Sequence, residues 1–199
     1  MNAAAAAQAR LALIGDAVRA HTPTVADRDP PFIEAAVAVV LRATPAGAVE
    51  LLFIKRAPHD GDPWSGQIAL PGGRRDPADA SLEATAVRET LEEVALDLRP
   101  DGCVLGALDE LRPRTPALPP VIVRPFVAIV PADAIALPSD EVAELFWAPL
   151  DTILHPASTR ASEVVVRDAR LRRDAVHYGG HVIWGMTERI LRSFGEIIG

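Results

Sequence analysis

With a single cysteine, Cys103, the chain cannot form an intrachain disulfide, and the sequence fits a reducing compartment. A small, half-buried residue is the ordinary role for such a thiol. Aromatic residues make up only 5% of the chain. No apolar run reaches the ~18–20 residues that cross a bilayer. Positive charge is not in excess either: 20 Lys and Arg stand against 27 Asp and Glu, a formal net charge of −7. A nucleic-acid backbone binder would need a basic stripe that this balance argues against. The opening stretch MNAAAAAQARLAL has no basic residue ahead of its apolar part and is interrupted by Arg10, unlike a secretory leader. It reads as an Ala-rich helix that docks on the domain or frays. A cytoplasmic protein with no membrane and no nucleic-acid partner is the expectation.

What is present is ordinary for a globular domain: 199 residues, 49% hydrophobic and 24% charged, with 18 prolines that imply stiffened loops. The expected organisation is an N-terminal helix and linker over residues 1–30 and one domain over 31–199. Residues 32–42 and 49–56 are rich in Val, Ile, Leu and Phe and read as two strands joined by a hairpin. Residues 57–69 form a loop. Further strands are expected at 103–111, 121–130, 141–148, 162–167 and 175–184, with a helical turn at 149–154 and a closing amphipathic helix at 187–198. Strands and helices are mixed rather than alternating, so the pattern predicts an α/β domain with a mixed sheet rather than a doubly wound one.

The most informative stretch is 70–96, LPGGRRDPADASLEATAVRETLEEVAL. Pro71-Gly72-Gly73 reads as a turn that glycines enter easily. Asp79 or Ser81 then caps a helix running to about residue 95. At ~100° per residue, Glu89, Glu92 and Glu93 fall together, with Ala84, Val87, Leu91, Val94 and Ala95 on the opposite side as the expected buried stripe. An acidic helix face is most often just solvated. A Gly-rich turn feeding directly into it favours a different use, because hard cations such as Mg²⁺ bind where carboxylate oxygens converge and substrate phosphates complete the shell.

The stretch resembles the Nudix box, in which Gly, five residues, Glu, seven residues, Arg-Glu and a later Glu-Glu recur in order. Gly73, Arg88, Glu89, Glu92, Glu93 and Leu96 fall on that pattern. Asp79 stands at the first Glu position, eight residues separate it from Arg88, Thr90 replaces an aliphatic residue, and Ala95 replaces the closing Gly. The longer spacing, together with Gly66-Gln67 and Ile183-Trp184-Gly185, looks like the coenzyme A pyrophosphatase branch. Ile54 stands where that branch tends to carry Thr, and Asp60-Gly61-Asp62 occupies the region of an arginine.

The resemblance implies a Nudix-type α/β/α sandwich and a phosphoanhydride hydrolase dependent on Mg²⁺ or Mn²⁺. Glu89, Glu92 and Glu93 are then the metal ligands. Glu93, Glu92, Glu141 and Arg88 are the catalytic set, with Arg88 orienting a carboxylate and Glu93 or Glu141 taking a proton from water. Glu144 is second to Glu141. Gly72 and Gly73 let the backbone approach phosphates, and Arg56, Arg112 and Arg114 are candidates to grip them, since a guanidinium fork matches phosphate oxygens. His177 and His181 read as structural. The implied partner is a small nucleotide substrate, coenzyme A or an acyl derivative, and a homodimer is compatible with the sequence. Another nucleoside diphosphate derivative (ADP-ribose, NADH or a dinucleotide polyphosphate) and a ligand-binding domain without hydrolysis remain alternatives.

Overall fold

The computed structural model describes residues 2–59, 64–100, 103–113, 120–166 and 169–199. The chain opens with α1 (Ala3–Ala20), capped by the Asn2 side chain, which accepts from the Ala5 amide. α1 buries Ala7, Leu11, Ile14 and Val18, a spacing that keeps one face on the domain. None of the described helices is long and apolar enough to cross a membrane.

β1 (Ile33–Ala43), β2 (Val49–Arg56), β3 (Ile68–Ala69), β4 (Gly72–Arg74), β5 (Val104–Ala107), β6 (Val121–Ile129) and β7 (Val142–Pro149) form a mixed sheet. β1 and β6 run parallel, from Ile33↔Val121 to Leu41↔Ile129, and the other pairs are antiparallel. β1 is covered on both faces, which is why it reads as an almost unbroken apolar run. Val39, Leu41 and Ala43 point toward α1 and α4 (Met186–Ile198), whereas Ala38 and Val40 point toward the side of α2 (Leu82–Val94). Helices thus lie on both faces of the sheet, as the α/β/α expectation requires.

A second, three-stranded sheet is made of β8 (Thr159–Val166), β9 (Ala169–Tyr178) and β10 (His181–Ile183), reached through α3 (Leu150–Leu154) and a 3₁₀ turn at Pro156–Ser158. The stretch expected as one strand at 175–184 is broken in two, because Gly179 and Gly180 both take positive φ and turn the chain.

The arrangement that makes the site is a parting of strands. β1 and β2 pair from Leu41↔Leu51 to Ala43↔Val49 and then diverge. Into the opening come β4, paired to β1 at residues 35–37, and β3, paired to β2 at Ile54 and Lys55. The Pro71-Gly72-Gly73 stretch expected as a turn is therefore largely strand, held on β1 by Val37↔Gly72 and Ala36↔Gly73.

Candidate active site

α2 begins at Ser81, whose side chain accepts from the Ala84 amide. Its buried face differs from the expected stripe. Leu82, Thr85, Ala86, Thr90, Glu93 and Val94 are buried, while Leu91 is exposed. The expected stripe lay opposite the carboxylates, whereas Glu93 is itself buried and faces a cleft together with Glu89. The inward polar groups are satisfied locally: Thr90 Oγ1 donates to the Ala86 carbonyl at 2.7 Å and Thr85 Oγ1 to Asp79 at 2.9 Å.

Close approach demands glycine at Gly72, where backbone is met, and favours it at Gly73, where the flexible end of Glu89 is met. A Cβ at Gly72 would lie 2.3 Å from the Ala36 carbonyl oxygen, and one at Gly73 would lie 2.4 Å from the Glu89 carboxyl carbon. With no side chain in the way, the Gly72 amide donates to Glu93 Oε2 at 2.8 Å.

Arg88 is the organising cation. It donates to both Asp79 oxygens (Nε to Oδ1 at 3.0 Å, Nη2 to Oδ2 at 2.9 Å), to Glu89 Oε1 at 2.9 Å, to Glu92 Oε2 at 2.8 Å and to the Arg74 carbonyl at 3.2 Å. The Arg88 bond, the Asp76 amide and the Thr85 hydroxyl hold the buried Asp79 carboxyl far below the usual carboxylate range. Asp79 thus keeps the loop before α2 tied to the helix.

These elements line a cavity of about 800 Å³, within the ~300–1,000 Å³ typical of small-molecule sites. Glu89, Glu93, Glu141, Arg56, Gly72 and Gly73 all face it. Burial pushes Glu93 up to about 7; the Gly72 amide and Arg56 act against this, and Glu89 and Glu141 add to it. Arg56 Nη1 lies 3.7 Å from Glu93 Oε1. Burial also raises Glu89, opposed by Arg88 and reinforced by Glu92 and Glu141. The loop before β7 delivers Glu141: the Ser139 and Leu137 amides bond to the Glu93 and Val94 carbonyls at 2.9 Å each, and the Glu141 carbonyl accepts from the Ala57 amide at 2.8 Å.

Among the described residues, no three acidic, histidine or cysteine side chains already stand as a group able to hold an ion. The donor set nevertheless suits a hard divalent cation. Glu89, Glu93 and Glu141 offer only oxygen; the charge of Glu141 raises the proton affinity of both Glu89 and Glu93, and that of Glu89 raises Glu93, as carboxylates sharing one cleft do.

Other expected residues lie elsewhere. Glu92 does not line the cavity; its side chain is 58% exposed and paired with Arg88. Arg112 is turned away as well: its guanidinium donates to the Asp27 carbonyl at 2.6 Å and to that of Asp29, clamping the linker after α1. The linker carbonyls hold this arginine away from the cleft. Arg114 and Asp60–Asp62 lie outside the described residues. Glu144 pairs with His181 at 3.3 Å, and His181 stacks on Phe146 with ring centres 4.3 Å apart. His177 accepts or donates between Ser162 Oγ at 2.6 Å and Arg160 at 3.0 Å in the second sheet.

Sequence reading missed Arg74, Asp140, Trp64 and Trp184 as lining residues. Arg74 directly follows Gly73 and makes no ion pair among the described residues, and Asp140 adjoins Glu141, so chain proximity was the available signal. Nothing local marked Trp64, and Trp184 stood out only through the likeness of Ile183-Trp184-Gly185 to the coenzyme A pyrophosphatase branch.

The NUDIX domain family model matches residues 32–168 of the chain. A Nudix hydrolase, NudL, from Yersinia pestis is 35% identical over 147 residues, 73% of this chain and 71% of the relative. A Schizosaccharomyces pombe protein is 42% identical over 110 residues, 53% of this chain, but the match spans only 33% of that longer relative. Among solved structures, a MutT/nudix family protein from Enterococcus faecalis superposes with a TM-score of 0.59 at 19% identity, covering 87% of this chain and 64% of that one, a likeness of fold.

Proposed function

Because this chain belongs to the NUDIX family, we propose that its cleft hydrolyses the phosphoanhydride of a nucleoside diphosphate derivative, and that the substrate is coenzyme A or an acyl-coenzyme A, split into 3′,5′-ADP and a 4′-phosphopantetheine. The observation that carries the reaction is Glu93: a buried carboxyl with a pKa of about 7 on the wall of a cavity it shares with Glu89 and Glu141. A base poised near the working pH is what proton removal from water requires.

Glu89, Glu93 and Glu141 would hold Mg²⁺ or Mn²⁺, with Glu92 available if it leaves Arg88. Bound there, the ion supplies charge neutralisation on non-bridging phosphate oxygens and a more acidic water. The rest falls to the chain's own residues. Glu93 or Glu141 takes the proton as water attacks phosphorus and the bridging oxygen leaves with the other phosphate. Arg88 keeps Glu89 in one orientation while fastening α2 to the Asp79 loop. Gly72 and Gly73 let β4 pack against Ala36 and the Glu89 carboxyl, which leaves the Gly72 amide to Glu93, and Arg56 and Arg74 face the cavity as its guanidinium groups.

The coenzyme A assignment is supported by the spacing within residues 73–88 and by Gln67, Trp184 and Gly185 facing the same cavity as Glu93. The test is a panel of coenzyme A, ADP-ribose, NADH, diadenosine polyphosphates and nucleoside triphosphates, with and without Mg²⁺ or Mn²⁺, read by product chromatography. Metal-dependent appearance of 3′,5′-ADP is expected. If coenzyme A is untouched while ADP-ribose or a dinucleotide is cleaved, the substrate assignment fails and the reaction type stands.

A further inference from the structure

The cavity has two chemically different parts. Its carboxylates and arginines come from β2, β4, α2 and the loop before β7. Its other wall is hydrophobic: Ala35, Val121 and Val123 are buried together, with Trp64 and Met186 packed against them. Register places this wall beside the phosphoryl end, since Ala35 pairs with Arg74 and Val37 with Gly72, whose amide holds Glu93. Trp184 and Ile190 add apolar surface to the same cavity as Met186, and all three lie beyond the stretch 32–168 that matches the family. Thr187, at the start of α4, also faces it, but its hydroxyl is already donated to the Ile68 carbonyl at 3.2 Å. A sugar or a second nucleotide presents hydroxyls that need partners, and burying them against such a wall is unfavourable. An acyl chain at the end of a neutral arm presents no polar group to such a wall and gains about 25 cal/mol per Å² covered.

We propose that the wall formed by Trp184 and Met186 selects nucleoside diphosphates whose distal phosphate carries a neutral arm ending in an apolar group. This rests on the phosphoanhydride reading above and adds to it which residues choose the arm. The preference is for an acyl thioester over the free thiol, exercised by a segment that the family match does not include.

Calorimetric titration with two probes that contain no phosphoanhydride tests it apart from hydrolysis: 4′-phosphopantetheine and its S-decanoyl thioester, each with Mg²⁺ present. The wild-type chain is expected to bind the thioester at least about tenfold more tightly. Trp184→Ala is expected to reduce that ratio below about threefold, and Trp184→Phe to keep most of it. Met186→Gln, a milder change, is expected to reduce the ratio too and decides the matter if Trp184→Ala does not fold. Equal affinity of the two probes for the wild type overturns the proposal, as does an undiminished ratio in Trp184→Ala or, where that variant does not fold, in Met186→Gln. If the ratio behaves as expected while no phosphoanhydride in the panel is cleaved, the selectivity stands and the hydrolytic reading falls.

Discussion

Glu93 and Glu110 are both buried, 2% and 8% exposed, yet their surroundings treat them in opposite ways. Glu110 receives Arg28 at 2.6 and 2.8 Å, Arg124 at 2.5 Å and the Ala26 amide at 2.9 Å. Burial pushes its carboxyl up, and the Arg28 bond, the Ala26 amide and the charges of Arg124 and Arg28 outweigh that, leaving it below its ordinary value. Glu93 receives one amide and a guanidinium at 3.7 Å, while Glu89 and Glu141 add negative charge, and it ends near 7. A buried carboxylate surrounded by donors ties the linker and β6 together; one left short of donors is held ready for something that binds. The same residue type at similar depth is structural in one place and, on the function proposed above, chemical in the other, and partner count is what separates them.

The sharpest way to break that contrast is Glu93→Gln. Turnover is expected to fall about 10³-fold, within the range for losing a general base or ligand, measured as product release with Mg²⁺. Stability moves the other way. A carboxyl whose pKa is raised on folding from 4.5 to about 7 contributes stability below the unfolded pKa that is lost as pH rises through 7. Metal-free wild type should therefore lose up to about 3 kcal/mol between pH 4.5 and 8 from this group, and urea melts of Glu93→Gln in chelator should lack that loss. A variant with normal turnover would remove Glu93 from the mechanism.

Glu110→Gln is expected to do the converse. It leaves Arg28 and Arg124 without a counter-charge in a buried place, which costs about 3 kcal/mol, read as a lower urea midpoint at pH 7. Because the Glu110 pKa is lowered, its contribution is present above the ordinary carboxylate range and disappears as pH falls below it. The penalty of the variant should therefore shrink in acid. A stable, fully active Glu110→Gln would mean that the Arg28 and Arg124 pairs are not holding the linker.

Glu141 and Glu144 offer a smaller version of the same test. Glu141 faces the cavity; Glu144 lies in β7, paired to His181. Glu141→Gln is expected to slow turnover about 30-fold, within the lower part of the range for one acid–base group. Glu144→Gln, at a half-exposed pair, is expected to stay within about twofold. Equal small effects in steady-state assays would place the base within α2.

Much of this was readable in advance, for identifiable reasons. β2 was located at its observed bounds because Val49–Arg56 is rich in Val, Leu, Phe and Ile and follows a short hairpin link. Glu89, Glu93, Gly72, Gly73, Arg56 and Glu141 were selected from sequence and all face one cavity. The buried face of α2 was not readable, because a hydrophobic stripe is inferred by assuming that charge seeks water. Leu91 ended exposed and Glu93 buried because the cleft, not the helix, decides which side is inside. Arg112 was misplaced for a related reason: proline-rich sequence around an arginine does not say what its guanidinium bonds, here the linker carbonyls of Asp27 and Asp29. Trp64 and Trp184 reach the same cavity from distant parts of the chain, which local sequence does not reveal.

The smallest expected effect concerns the end of the helix that carries Glu89 and Glu93. Ala95 caps α2 in the left-handed region at φ 57, and its amide bonds to the Leu91 carbonyl at 3.0 Å. An L-residue there crowds its Cβ against the following carbonyl at a cost of about 1–2 kcal/mol, which glycine avoids. Glycine also widens the unfolded ensemble, which offsets about 0.4–1 kcal/mol of that relief. Ala95→Gly should therefore raise stability by about 0.5–1 kcal/mol, a small upward shift in urea midpoint with the m-value unchanged. The carbonyls of Glu93 and Val94 are already bonded to the Ser139 and Leu137 amides, so the cleft geometry should not move and turnover should stay the same. A gain in stability accompanied by a loss of turnover would show instead that the strained cap holds the end of α2, and Glu93 with it, in the position the chemistry uses.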